Sequence, residues 1–224
     1  MRALHTFIGG AALAVGLSSA ALTGCDDPAR GAARAAAAEP IATSTSQSAT
    51  VDSAAAPGAI RYVFDQSASK ISWVGSKVTG KHEGGFGAFR GTVDVSGGAP
   101  EASRVDVQID VDSIASDAAK LTRHLTSPDF FDAKAHPKAS FVSTQIKRGG
   151  DKGASHTVTG NLTVKGITKS VTFPATIQVT GDTASLDAQF AINRREFSLN
   201  YPGMPNDLIR DDVLVTLVVR AKKG

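Results

Sequence analysis

Over most of residues 60–224, apolar and polar side chains alternate with a period of two. That periodicity restricts the chain to β-strands with one dry face and one wet face. In residues 104–112, Val105, Val107, Ile109 and Val111 point one way, while Asp106, Gln108, Asp110 and Asp112 point the other. The same pattern turns Val158, Leu162 and Val164 inward in 157–165, Val171, Phe173, Ala175, Ile177 and Val179 in 170–179, and Leu186, Ala188, Phe190 and Ile192 in 185–192. Shorter candidates span 62–64, 70–74, 89–95, 140–147 and 213–221. Gly97-Gly98, Gly149-Gly150, Lys165-Gly166 and Gly181-Asp182 stand between runs as turn residues. Strands that follow one another without intervening helices must close on themselves or stack as two sheets to hide their apolar side. The expected fold class is all-β, a closed antiparallel barrel of about eight strands.

One segment departs from this pattern. After Ser116, a candidate N-cap, residues 117–125 place Ala118, Leu121 and Leu125 at helical spacing, with Asp117 in the first turn, Arg123 and His124 in the last, and Pro128 beyond. A single short helix is expected near a barrel mouth, and barrels of this strand number can hold one small ligand. Large side chains then bear on whether the interior is filled. Those expected to face an apolar lumen are Trp73, Phe86, Phe89, Leu121, Leu125, Phe130, Phe131, Phe141, Phe173, Phe190 and Phe197. They either pack a solid core or line a cavity, and sequence measures no volume.

Composition changes abruptly near residue 60. Removing Arg2, Arg30 and Arg34 from the 24 Lys and Arg, and Asp26, Asp27, Glu39 and Asp52 from the 21 Asp and Glu, leaves 21 basic against 17 acidic residues for the remainder. The signs are interspersed, without the basic stripe of a nucleic-acid binder, so no nucleic-acid partner is expected. Residues 1–24 have the layout of an export signal: Arg2, an apolar stretch from Phe7 to Leu22, then small residues. Leu22-Thr23-Gly24-Cys25 resembles the lipobox of bacterial lipoproteins, in which the signal is cut before the cysteine and that residue is lipidated. Cys25 is the only cysteine of the chain, and its lipidation would anchor the protein to a membrane. Residues 25–59 are rich in Ala, Ser and Pro, and are expected to form a disordered tether, because they carry too little apolar surface to offset the entropy of ordering.

The residues from 60 onward resemble the YceI-like family. The resemblance rests on Gly85-Phe86-Gly87-Ala88-Phe89-Arg90-Gly91, on His124-Leu125-Thr126-Ser127-Pro128-Asp129-Phe130-Phe131-Asp132, and on His136-Pro137-Lys138-Ala139-Ser140-Phe141. Gly160-Asn161-Leu162-Thr163-Val164-Lys165-Gly166-Ile167-Thr168, Asn193-Arg194-Arg195-Glu196-Phe197 and Asp211-Asp212-Val213 continue it in the same order. It implies an exported, lipocalin-like barrel over 60–224 whose apolar tunnel holds a polyisoprenoid or the tail of an isoprenoid quinone, with no catalytic residues and no other cofactor. Two positions differ from the common pattern. Thr122 and Arg123 precede His124 where Arg and Asp are usual, and Ser198 stands where Gly often follows the Phe.

With such a ligand, the tail supplies affinity and a head-group contact sets register. Arg123, His124 and Arg194 are the head-group candidates. The reading that follows is a non-catalytic, lipid-anchored carrier at the periplasmic face of a bacterial envelope, with an amphiphilic lipid as partner and homodimer formation left open. The alternative is an envelope stress or interaction protein with a solid barrel and a partner-binding surface. An enzyme would need a base or nucleophile facing the lumen, and the sequence displays no such constellation. Metal binding is not expected, since His82, His124, His136 and His156 never fall three to five residues apart. The run from Gly75 to His82 is one residue short of a phosphate loop and lies between two strands, which is the wrong context for one.

Overall fold

The computed structural model describes residues 27–42 and 58–224. The export signal expected at 1–24, the expected lipidation site Cys25 and residues 43–57 of the expected tether lie outside the described residues. In chain order the elements are β1 (Ala33–Arg34), β2 (Ala36–Ala38), β3 (Ala59–Asp65), β4 (Lys70–Lys77), β5 (Gly80–Phe86), β6 (Phe89–Ser96), β7 (Ser103–Asp110), β8 (Ile114–Ser116) and α1 (Ala119–Leu125). There follow β9 (Lys138–Arg148), β10 (His156–Val164), β11 (Ile167–Thr180), β12 (Thr183–Asn193), β13 (Gly203–Met204), β14 (Asp207–Leu208) and β15 (Asp212–Lys223). Strands β3, β6, β7, β9, β10, β11, β12 and β15 pair antiparallel in that order, and β15 returns to β3 through Lys222↔Val63 and Lys223↔Tyr62. The result is a closed antiparallel barrel. Closure leaves the ring without free edges except where β11 and β12 part, which is how a sheet with one apolar face buries it without a second layer.

Local chemistry sets the corners. Lys165 and Gly166, at φ 50° and 75°, make the two-residue turn between β10 and β11, the positive-φ geometry that matches the twist of a hairpin. Below Asp65, β4 takes over from β3 as the partner of β15, from Val218↔Lys70 to Leu214↔Val74. The β4–β5 hairpin and β8 then flare outward at one end of the barrel, where α1 covers them.

Several expectations change against the structure. The helix begins at Ala119, later than expected, because the Asp117 amide is committed to the Glu83 carbonyl at 2.9 Å. Ser116 is not the N-cap; its hydroxyl lies 3.0 Å from the Thr122 hydroxyl and braces the strand end against the helix. Strand β7 stops at Asp110, where the chain turns into a short 3-10 segment, and Val111 donates its amide to the Pro137 carbonyl at 2.9 Å. The wet face of β7 is also less wet than alternation predicts. Asp106 is buried at 7% exposure, with Arg104 3.6 Å away, and loss of hydration pushes its carboxyl above the ordinary range against the opposing pull of that arginine.

The largest change concerns the tether. Part of it, residues 27–42, lies on the barrel. β11 and β12 pair only from Thr176↔Asp187 to Thr180↔Thr183, and diverge beyond. Pro174, which has no N–H to give a ladder, lies just beyond the point of parting. Residues 33–38 fill the gap, with β1 parallel to β12 (Ala33↔Phe190) and β2 antiparallel to β11 (Ala37↔Val171). Composition predicts disorder here because alanine has little strand preference and carries no alternation. Two exposed strand edges impose the extended state, and a short row of methyl groups fits where larger side chains would not.

Ser198 occupies the left-handed region at φ 54°, ψ 30°, closing the 3-10 turn Arg194–Phe197. That conformation explains why glycine suits the position. Ser198→Gly is expected to raise the unfolding free energy by about 0.5–1 kcal/mol in urea titrations, and a loss of stability would show that the serine side chain contributes more than its strain costs.

Candidate functional site

The parity of the strands turns one residue in two toward the barrel axis, and those residues enclose a cavity of about 440 Å³. It extends from Pro100, Val179 and Val219 at one end to Leu121, Tyr201 and Met204 at the other. Tyr62, 1% exposed, is fully buried in the core, its hydroxyl donating to the Gly181 carbonyl at 2.7 Å.

The lumen stays open because its aromatic rings lie back against the wall. A Cβ on Gly91 would stand 2.2 Å from the tip of the Phe64 ring, one on Gly160 2.4 Å from that of Phe141, and one on Gly84 2.5 Å from the indole of Trp73. Gly91 is the register partner of Phe64 and Gly84 that of Trp73, so each ring occupies its neighbour's missing side chain. Phe141 does the same across the irregularity at Thr159/Gly160, where β9 and β10 shift register. Phe64, Trp73 and Phe141 all line the cavity. Large rings alone would meet in the middle of so narrow a barrel; rings bedded on glycine do not.

Of the lumen residues expected from sequence, Trp73, Phe86, Leu121, Leu125, Phe130, Phe131, Phe141, Phe173, Phe190 and Phe197 line this cavity. Phe89 does not. It is 4% exposed and packs in the core cluster beside the cavity wall. Sequence reasoning missed Tyr201, Leu199 and Ile209, which lie outside the long strands in a segment with no periodic signal. Their apolar character after the Arg-Arg-Glu-Phe run was the only available sign.

The head-group candidates separate. His124 lines the cavity, and its Nε2 is 3.0 Å from Asp129 Oδ2. Its ring meets Tyr201 edge-on at 4.6 Å and Phe130 at 4.9 Å, so it is held by one carboxylate and two aromatic neighbours. Arg123, one residue earlier on α1, is exposed and is not on the cavity wall. Arg194 is on the wall but is 4% exposed and committed to the fold. Its Nε donates to the Arg210 carbonyl at 3.1 Å, one terminal nitrogen to the Leu199 carbonyl, and the other to the Ile209 carbonyl at 3.3 Å and to Asp211 at 3.3 Å. Burial pushes this guanidinium below its ordinary value while Asp211 pulls the other way, and arginine stays protonated throughout. It staples the segment after β12 to the one before β15. Arg194→Met is therefore expected to lower the unfolding free energy by about 3 kcal/mol, by leaving several buried carbonyls unpaired. Denaturant unfolding measures this. A lipid affinity lost at unchanged stability would instead make Arg194 a ligand contact.

Two other basic side chains on the wall face carboxylates. Lys77 meets Asp207, and His82 Nδ1 is 2.9 Å from Asp117. The wall is otherwise almost wholly aliphatic and aromatic. Such a site can bury a chain-shaped apolar molecule, and it offers few unpaired polar groups to a charged one.

A closed antiparallel barrel with an apolar lumen running along its length is a lipocalin-type barrel. The chain belongs to the YceI-like family, whose YceI-like domain matches residues 62–221. A UPF0312 protein of Pseudomonas putida is 37% identical over 138 residues, covering 59% of this chain and 71% of the relative. Among solved structures, Burkholderia cenocepacia BcnA superimposes with a TM-score of 0.60 at 28% identity, over 71% of this chain and 99% of the other. A polyisoprenoid binding domain from Saccharophagus degradans, implicated in plant cell wall breakdown, matches with a TM-score of 0.56, over 74% of this chain and 99% of its own. At 13% identity that likeness establishes the shared fold alone.

Proposed function

We propose that this barrel binds and carries an isoprenoid-type lipid, a polyisoprenoid or the tail of an isoprenoid quinone, without chemical turnover. The observation that carries the reading is the apolar cavity of about 440 Å³ within the barrel, which lies within the range of small-ligand sites and is at odds with a solid barrel core. Its energetics suit a tail-driven ligand. Ten buried methylenes contribute about 8 kcal/mol, near micromolar affinity before the costs of association and chain ordering are subtracted. The basic side chains on the wall, Lys77, His82, His124 and Arg194, already face carboxylates, so a neutral head group suits this site better than a phosphate. Together with the export signal at 1–24 and Cys25 as lipidation site, the reading places the protein on the periplasmic face of a bacterial envelope, anchored by its N-terminus.

Organic extraction and mass spectrometry of the purified protein test the ligand. A reproducible long-chain isoprenoid is expected. A lipid-free protein that also fails to take up isoprenoid quinone would return the barrel to the solid, partner-binding alternative.

A further inference from the structure

The barrel has one stave unlike the rest. Residues 33–38 stand between β11 and β12, so those two backbones are two strand spacings apart there, about 10 Å. The side chains flanking this slot, Val171 and Phe173 on one side and Phe190 and Ile192 on the other, line the cavity. The stave is attached more weakly than any strand of the ring. Apart from Arg34 its side chains are alanine methyls, of which only Ala35 is fully buried, its amide donating to the Ala191 carbonyl at 2.7 Å. Asn161 holds the far end by a reciprocal pair of hydrogen bonds to Ile41, at 3.0 Å and 2.8 Å. Ion pairs of Arg34 with Asp212 and of Glu39 with Lys169 add to the attachment; the Arg34 and Glu39 side chains are exposed, so salt screens both pairs. Upstream, Asp27 lies 3.6 Å from Arg210 and Ala29 is buried, so the segment hinges between residues 29 and 41. The ring does not depend on it either, because β11 and β12 remain paired over Thr176–Thr180 without the stave.

We infer that residues 33–38 form a detachable stave whose withdrawal opens a lateral entrance to the lumen, through which a chain lipid enters sideways. The inference rests on the lumen being the lipid site. An end-on route would require a long flexible tail to thread the whole barrel from one mouth, whereas a slot along the wall admits it along its length. On the lumen side the side chains of Val171 and Ile192 and the stacked rings of Phe173 and Phe190, 4.3 Å apart at 14°, then stand in the way, and side chains rotate where a strand cannot.

Ala36 faces Thr172 in register, so a disulfide there locks the stave. The test uses the full chain carrying Cys25→Ser, Ala36→Cys and Thr172→Cys. Loading is followed from phosphatidylcholine vesicles containing a long-tailed isoprenoid quinone, by quenching of Trp73, the only tryptophan of the chain. Oxidation is expected to slow loading at least tenfold, and reductant to restore it. Ala35→Arg, which cannot seat at a position only 5% exposed, is expected to speed it. Without any lipid, the amides of 33–38 are expected to exchange with deuterium at least a hundredfold faster than those of 213–219 in β15. Equal loading of oxidised and reduced protein overturns the entrance and leaves the lipid reading intact. Exchange at 33–38 as slow as in β15 overturns it independently of any ligand. Absence of quenching in the reduced protein overturns the lipid reading, and the entrance falls with it.

Discussion

Gly91→Ala is expected to lower the unfolding free energy by about 3 kcal/mol, the upper part of the range for overpacking a closed core. The added methyl would lie 2.2 Å from the Phe64 ring and 2.7 Å from the Asp106 carbonyl oxygen. The backbone oxygen cannot yield without breaking the β6–β7 ladder, and the ring can move only inward, into the lumen. For a chain of this size the loss corresponds to roughly 6–12 °C in melting temperature. Phe64→Leu added to Gly91→Ala is expected to recover part of the loss, because the smaller side chain vacates the glycine's inner face. Calorimetry of the single and double variants decides the matter. Equal stability of Gly91→Ala and the parent protein would show that the ring is not bedded on that glycine.

The second large effect concerns the hollow itself. Val107 on β7 and Leu217 on β15 both line the cavity, and Val107→Trp with Leu217→Trp would fill its middle. Excluding about three methylenes of a bound tail removes about 2.4 kcal/mol, or roughly fiftyfold in affinity. In a hollow barrel the lipid-free double variant keeps its melting temperature, since the new rings occupy unused space. In a solid barrel it loses several degrees through overpacking. Quinone titration followed by Trp73 fluorescence would be confounded by the added tryptophans, so binding is best read by co-elution of quinone with the protein. Unchanged co-elution would place the ligand outside the lumen.

Much of the cavity lining is legible in the sequence, because strand parity is a local property. Once Val171 is inward, Phe173 must be, and the same rule carries Phe190 with Ile192. Parity says nothing about depth along the barrel, so it does not separate Phe89, packed in the core, from Phe86, which lines the cavity. Nor does it reveal β5, where Gly84 and Gly85 remove the alternation because a ring and a carbonyl oxygen of the adjacent strands need their space. Arg194 is legible as a residue near the site but not as a fold staple, because its partners are main-chain carbonyls beyond the turn, and backbone acceptors leave no trace in a sequence.

By itself the sequence determined the fold class, the family and the apolar side of nearly every strand, since each follows from residue types a few positions apart. Tertiary structure alone decided that the lumen is hollow, that residues 33–38 join the barrel, and that Arg194 serves the fold. These depend on which chemically ordinary groups meet across the barrel: glycine under a ring, alanine between two strand edges, a guanidinium among carbonyls. Contacts of that kind are set by chain closure, which brings together residues that no local pattern relates.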